Sequence, residues 1–535
     1  MKSTATPKVT QARVKRCSRV LPILETGVTV FSVANFREHG DCLAVTKLRP
    51  WKEMRELLRR FAVLASTTML TQLIAFGTLA ITTRRVGPSN LGSYMVALSI
   101  VTFASLPIAS GITAVGTRDV AQNPAKVREL AGEVFVLQLI LVAVAYALLL
   151  MLTPLIAPNH AMRSLLPITG LFLLTSTSFE WALQALGRMR SIAVARISGQ
   201  IAFGALVPLF VVDGLEGMER YAWLMIAGLA LKHLATTGFL IRAAGVPVLR
   251  VSPRRLWRRF RTSAPMGYAS VVLQLYATID QVMLGYLSTP FQAGQYAAAG
   301  RIPGAIQTAS GSWTAVVFPH SASLARTDRD KLRRQTGMIL AANATVSIPL
   351  ALLTPFVAHD LMVASFGSNF GPAGSTLALG SIGLGITLID LTLATLVIGV
   401  GGDRRYARAL TLTALFNVVF NLPVIPLFGR NGAVIVALVS ECLLFWMMLR
   451  TANRLVGGIT MEWGRISRIV CAVVPAIFAL GILQMAGVSV WIRIAVGGLT
   501  YAAFVMLFGA IRVGEIRHLV MPRIAGSTRT GSGAA

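Results

Sequence analysis

Charge is scarce in this sequence, and negative charge is scarcer still. Of 535 residues only 13% are Asp, Glu, Lys or Arg, with 21 acids against 50 Lys and Arg and a net charge of +29. A soluble domain carries roughly 25% charged residues, so this chain cannot cover itself with an ordinary water-facing surface. Cysteine is also rare. Cys17 and Cys42 lie in the N-terminal region and Cys442 and Cys471 inside apolar runs, with no CxxC spacing. That excludes a disulfide framework and a cysteine-built metal site. No P-loop, H-x-x-x-H pair or nucleophile elbow occurs, and no loop between apolar runs exceeds about 20 residues. The composition therefore speaks against an enzyme and implies no cofactor and no metal.

Apolar length is what the chain has instead. It is 55% hydrophobic, with a mean hydropathy of +0.68. The apolar runs are about 20 residues long, enough to cross a ~30 Å hydrocarbon layer. They are continuous rather than alternating, which excludes an outer-membrane barrel. The fold class is an all-α polytopic membrane protein. Fourteen spans are predicted, at 61–83, 92–116, 131–156, 164–186, 192–212, 221–241, 263–287, 293–325, 336–358, 372–401, 406–427, 431–449, 469–486 and 491–511.

The bases sit in the short loops, which makes them topology signals rather than a nucleic-acid footprint. Alternate loops from 117–130 to 450–468 hold 23 Lys and Arg, and those from 84–91 to 487–490 hold five. The positive-inside rule puts the rich side and both termini in the cytoplasm. No nucleic-acid partner is expected.

Residues 1–57 form a basic N-terminal tail in which Val20–Phe36 is too polar to span. Met54 opens MRELLRRFAVLASTTML, a natural start before a first span, so residues 1–53 read as an extension. Peptides from residues 20–50 in the native protein would refute that reading. Beyond the tail, 58–245 reads as one six-span lobe, 246–262 as a basic cytoplasmic linker and 263–452 as a second lobe. Residues 466–512 add two spans, and 513–535 a cytoplasmic tail. The linker RVSPRRLWRRFR, Arg250 through Arg261, is either a topogenic spacer or an interfacial helix on anionic lipid.

The lobes echo each other. VGPSNLGSY (Val86–Tyr94) leads into span two, and LGYLSTPFQAGQY (Leu284–Tyr296) leads into span eight; their G-x-Y elements are 202 residues apart. Six spans separate them, so both hairpins point the same way. That is the pattern of two parallel repeats about an axis along the membrane normal, with a substrate site between them.

Three stretches carry a resemblance. ITTRRVGPSNLGSYMVALSI (Ile81–Ile100) resembles the first-hairpin signature of bacterial polysaccharide-unit flippases, and Asp280–Leu324 resembles their seventh and eighth helices. LFNVVFNLPVIPLFGRNGAVIVALVSE (Leu415–Glu441) resembles the eleventh and twelfth, with Asn417, Asn421, Ile425, Pro426, Gly429, Gly432 and Ala433 in the family pattern. The resemblance covers about residues 58–450. It implies the polysaccharide transporter branch of the multidrug/oligosaccharidyl-lipid/polysaccharide exporter superfamily. Such proteins move undecaprenyl-pyrophosphate-linked sugar units across the inner membrane by alternating access. The serine- and arginine-rich first helix of lipid II flippases is not seen. The implied partners are the lipid-linked oligosaccharide, membrane lipid, and the polysaccharide polymerase and export machinery.

Eight ionisable residues fall well inside spans: Glu180, Arg196, Lys232, His233, Asp280, Arg301, Asp390 and Glu441. Such groups are expensive in hydrocarbon and mark pairs, pathways or coupling sites. Arg196, Lys232 and Arg301 are the candidates to hold a pyrophosphate; Arg196 is also placed to snorkel or to pair with Glu180. Asp280, Asp390 and Glu441 are the candidates for ion coupling. Asp280 lies eight residues before the 288–292 turn and Arg301 nine after it, so the two are at one depth and are expected to face each other. That pair is either a switch or a static register lock. For Asp390 and Glu441 the alternative is hydrogen bonding to backbone or Asn side chains, and for His233 it is packing. Gly and Pro within spans (Pro107, Gly204, Pro208, Pro303, Gly383, Gly385, Pro423) suit bends and close approach, or are ordinary membrane-helix composition. Two alternatives remain open: a cation-coupled multidrug exporter of the same superfamily, and a non-transporting polymerase or ligase. The latter would need a long outer loop, and the longest on that side is 359–371.

Overall fold

A computed structural model describes residues 50–510 except 110, 328 and 460, and not the side chains of 50–65, 265–266, 268–270, 309–327, 329 and 331. The tail up to residue 49, including Val20–Phe36, and residues 511–535 lie outside the described residues. The question of Met54 as initiator is therefore left where the sequence puts it.

The described residues are helical, with no strand among them. In the first half α1 is Pro50–Ala109, α2 Ile112–Gln122, α3 Val127–Ile156, α4 His160–Gly170, α5 Glu180–Ala185, α6 Met189–Phe210 and α7 Gly214–Ala244. The second half has α8 Pro253–Leu287, α9 Pro290–Thr327, α10 Arg329–Phe366, α11 Ala373–Gly399 and α12 Asp403–Val456, followed by α13 Trp463–Met485 and α14 Val490–Leu507. Among the described residues nine helices are long and apolar enough to cross a membrane. Large apolar side chains stand exposed on them, among them Leu155, Leu209, Leu427 and Met485. A soluble protein would not leave such a surface bare. Threonines and serines within the helices, such as Thr78, Thr82, Ser99 and Thr153, turn their hydroxyls back onto carbonyls one turn earlier. Their polar groups are thereby satisfied without water.

Two of the long helices are hairpins. α12 breaks helical geometry at Gly429, where φ is 56°. Asn421 reaches Asp280, and Glu441 receives the hydroxyl of Tyr276, one turn away on α8. A straight helix would hold residues 421 and 441 about 30 Å apart, so the chain must double back between them. α1 breaks in the same way at Gly87, where φ is 75°. Thr78 lies against Gly204, whose neighbour Phe203 meets Tyr221 edge to face, and Tyr221 meets Tyr94 in the same way. Only a reversal at Gly87 brings residues 78 and 94 to one place. A side chain at either glycine would face the positive-φ penalty.

The fourth predicted span departs from expectation. It is not one helix but α4, a 3-10 stretch at Leu171–Thr177, and the short α5. The 3-10 geometry breaks the run and sets Glu180 at the first position of α5.

The two hairpin turns that echo in sequence touch in space. A Cβ on Gly92 would lie 1.8 Å from the carbonyl oxygen of Pro290, and one on Gly294 would lie 1.9 Å from that of Pro88. Pro88 and Pro290, like Gly92 and Gly294, are 202 residues apart. A contact in which each copy does to the other what the other does to it is the mark of a local two-fold relation. Backbones come this close only where side chains are missing.

The halves share core at this turn end. Val96, Ala157 and Met162 of the first half pack with Met283, Leu284, Ala293, Ile425 and Ala433 of the second. Thr83 and Arg84 donate to the carbonyls of Phe366 and Ala364, and Tyr286 to that of Ile156. At the basic-loop end, where Leu256 and Phe260 of α8 pack onto the first half, the described residues form two clusters. One is built on Val120, Val134, Leu183 and Leu240, and the other on Leu332, Val397, Leu444 and Met448.

From Pro253 onward the basic linker is the start of α8, continuous with the seventh span. Arg259 is its anchor: it binds Glu133 of α3 at 3.1 Å and Asp119 of α2 at 3.2 Å, with its side chain 10% exposed. Removing it would leave Asp119 to the exposed Arg118 at 3.0 Å and Glu133 to the more distant Arg255 at 3.8 Å. Arg259→Ala is expected to destabilise the protein by about 1–3 kcal/mol, between an exposed and a fully buried pair. Thermal unfolding in detergent measures this, and an unchanged midpoint would contradict the anchor.

Candidate functional site

The interior ionisable residues gather in three places. In the first half Glu180 stands between two cations. Arg196 Nε on α6 donates to it at 2.5 Å, and Lys232 Nζ on α7 lies at 3.8 Å. Glu180 is available to both because the broken fourth span ends its 3-10 turn just before it, and a carboxylate at a helix start is favoured. One anion between two cations leaves a surplus positive charge. Arg196, with its side chain 38% exposed, is the member that can turn outward. His233, beside Lys232, engages the carbonyl of Leu229 at 2.9 Å.

The second place lies within the second half and is rich in acceptors. Asp280 Oδ1 accepts from Asn421 Nδ2 at 2.8 Å and its Oδ2 from the Tyr296 hydroxyl at 3.1 Å. Asn421 also donates to Asn417 Oδ1 at 3.0 Å. Near it, the Tyr276 hydroxyl donates to Glu441 Oε1 at 2.8 Å. Asp390 is buried on α11, within electrostatic reach of Glu441. Asp390 Oδ1, Thr413 Oγ1, Asn421 Oδ1 and Glu441 Oε2 are buried without a partner. Three carboxylates meet here, and none of them makes an ion pair among the described residues. Buried charge without a counter-charge is costly, so such a cluster favours protonation or a bound cation.

Arg301 is the third. It does not face Asp280; its Nη2 points at Met95 Sδ, 3.0 Å away on α1. Equal depth along two helices does not fix direction around them. Tyr296 faces Asp280, and five residues at ~100° each carry Arg301 about 140° round the helix. The arginine is exposed and reaches from the second half to the first, beside the edge-to-face Tyr94–Tyr221 pair. It occupies the seam between the halves.

Several site residues were not singled out from sequence. Tyr276 and Tyr296 close the carboxylate cluster, and Asn417 and Asn421 entered only as positions of the family pattern. A signal was present: Thr413, Asn417 and Asn421 recur every fourth residue, which lines one helix face. Among the small residues within spans, Gly204 and Gly385 do mark close approach, against Ile74 and the carbonyl of Ser347.

The model of the family described as polysaccharide biosynthesis protein matches residues 57–325, just over half of the chain. The chain belongs to the polysaccharide biosynthesis protein family. The matched residues of this family member run from the first span through the eighth, and so include the paired hairpins and Asp280. A curated relative, "Putative O-antigen transporter" of Escherichia coli (strain K12), is 20% identical over 403 residues, covering 72% of this chain and 94% of that one. The solved lipid II flippase MurJ in an inward closed conformation superposes with a TM-score of 0.66 at 13% identity, over 86% of this chain and 100% of that one. An inward-facing multidrug resistance MATE family transporter of the MOP superfamily gives 0.57 at 16% identity, over 74% and 98%. At these identities the structures show a shared fold and no more.

Proposed function

We propose that this protein is a flippase that carries undecaprenyl-pyrophosphate-linked oligosaccharide units from the cytoplasmic to the outer leaflet of the bacterial inner membrane. The units would serve exopolysaccharide or O-antigen assembly, with a polysaccharide polymerase and export machinery as downstream partners. Family membership across the paired hairpins carries the reading, and the flippase fold supports it. In this reading the chain crosses fourteen times as two six-span lobes plus α13 and α14. Both termini, the linker at 246–262 and the basic loops are cytoplasmic.

The physical task is to bring hydroxyls through hydrocarbon. Each unpaired one costs roughly 4–8 kcal/mol on leaving water for an alkane-like phase, and an oligosaccharide carries many. Two halves that share core at the turn end and rock about it would offer the head group a polar path while the polyprenyl tail stays in lipid. Closure at the turn end means access from the basic, cytoplasmic side. Arg301, in the seam, is the principal contact for the pyrophosphate, because charge-assisted bonds to phosphate oxygens are strong. Arg196 and Lys232 supply further positive charge, held in check by Glu180. The carboxylates Asp280, Asp390 and Glu441 take up the coupling cation, a proton or sodium. One charge moved through the membrane potential supplies ~2.3 kcal/mol per 100 mV, enough to bias a rocking equilibrium.

The test is export of sugar units in a strain whose own flippase is deleted. Complementation by this chain, with lipid-linked units accumulating inside when it is absent, is the expected result; failure with a family-matched substrate would refute the reading. Arg301→Ala should lower export about tenfold, the worth of one charge-assisted contact, and Arg301→Lys should restore part of it. Full export by Arg301→Ala would remove this residue from the substrate path.

A further inference from the structure

The machinery above leaves α13 and α14 without a task, yet where they meet α10 there is a cleft of about 380 Å³. Asp360 of α10, Gln484 of α13, and Ser489, Trp491 and Arg493 at the start of α14 line it. Arg493 is the unusual member. It is 3% exposed and its Nη2 binds Asp360, but its Nε and Nη1 are buried with no partner. A guanidinium left this way is costly unless something accepts from it.

The surroundings add donors. The first intrahelical bond of this turn runs from Arg493 N to Ser489 O, so the N–H groups of residues 490–492 have no acceptor within the helix. Ser489 makes no side-chain cap bond to them. A helix start is positive by its dipole and points N–H groups at whatever sits before it. Set against these donors is one carboxylate, Asp360, at the exposed edge of the cleft with its side chain 42% exposed. A surplus of N–H donors around an arginine fork suits an anion with several oxygens, above all a phosphate.

The setting argues for a lipid as its source. The turn at 486–489 lies on the side with few bases, at the end of two membrane helices. Phe478, Ile482 and Met485 of α13 are strongly exposed apolar side chains, and Trp491 stands exposed at the level where tryptophans favour the membrane interface. We propose that this cleft binds the phosphate of an anionic lipid headgroup in the outer leaflet, with Arg493 as its donor and the acyl chains along the exposed face of α13. The lipid thereby ties α13 and α14 to α10. This site is independent of the carried sugar unit.

The test uses the full chain purified in detergent, with lipid binding read by native mass spectrometry and folding by thermal midpoint. Dioleoylphosphatidylglycerol is expected to bind, with dioleoylphosphatidylcholine weaker and inorganic phosphate alone unable to displace the lipid. Arg493→Gln should weaken phosphatidylglycerol about tenfold, the loss of one charge-assisted contact. Asp360→Asn removes the competing carboxylate and should tighten it several-fold. Should Arg493→Gln fail to fold, Asp360→Asn decides alone, and unchanged or weaker binding overturns the proposal. Equal affinity of wild type and a folded Arg493→Gln also overturns it. Displacement by inorganic phosphate would overturn the lipid as the ligand.

Discussion

Gly294→Ala is expected to destabilise the protein and abolish export, although alanine is the better helix former. On propensity alone the change should stabilise a helix by about 1 kcal/mol. The added Cβ, however, would lie 1.9 Å from the carbonyl oxygen of Pro88 and 3.0 Å from the nitrogen of Gly92. Both are backbone atoms, so no side-chain rotation relieves the clash and the two hairpins must part. Overpacking a core with one group costs about 1–3 kcal/mol, and a clash with backbone belongs at or above the top of that range. Gly92→Ala meets the carbonyl of Pro290 at 1.8 Å and should be as damaging. Gly238→Ala, with nothing within 4 Å, is the control and should be neutral or mildly stabilising. The thermal midpoints of the three variants in detergent decide the matter. A harmless Gly294→Ala would mean that the halves do not close on this pair.

Asp280→Asn should reduce export about tenfold or more while leaving the amount of protein in the membrane and its thermal midpoint near wild type. Asparagine keeps an oxygen for Asn421, and the Tyr296 hydroxyl, which donates to Asp280 now, can accept from the new amide instead. The local geometry survives and only the ability to hold a cation is lost. A transition uncoupled from one charge forgoes ~2.3 kcal/mol per 100 mV, which sets the size of the effect. Undiminished export would retire the coupling role, and a large fall in midpoint would recast Asp280 as a structural residue. Asp390→Asn and Glu441→Gln extend the test to the other two carboxylates. Because the three sit in one cluster, their effects are not expected to add.

How much of this was legible beforehand varies by residue. The paired hairpins could be read directly, since G-x-Y recurs at a fixed offset and each copy holds the glycine that close approach demands. The association of Arg196 with Glu180 was one of three readings open for that arginine, and the structure places the pair at 2.5 Å. The Asp280–Arg301 pairing was an expectation the structure corrects, because counting residues from a turn measures depth and says nothing of azimuth. The break of the fourth span left no clear mark, for LFLLTST is as apolar as a helix would be there. Arg493, near the start of the last span, was not singled out, and only its burial against Asp360 distinguishes it.

By itself, then, the sequence determined that the chain is a membrane bundle and where its paired hairpins lie. These follow from quantities local to the chain: apolar length against bilayer thickness, and glycines where backbones meet. Only the tertiary structure decided what each interior charge faces. A side chain's direction turns through ~100° with every residue, and the helix it meets is set by packing among all the others. That is why the carboxylates of the second half share a cluster with Tyr276, Tyr296 and Asn421, while Arg301, at the same depth, stands in the seam.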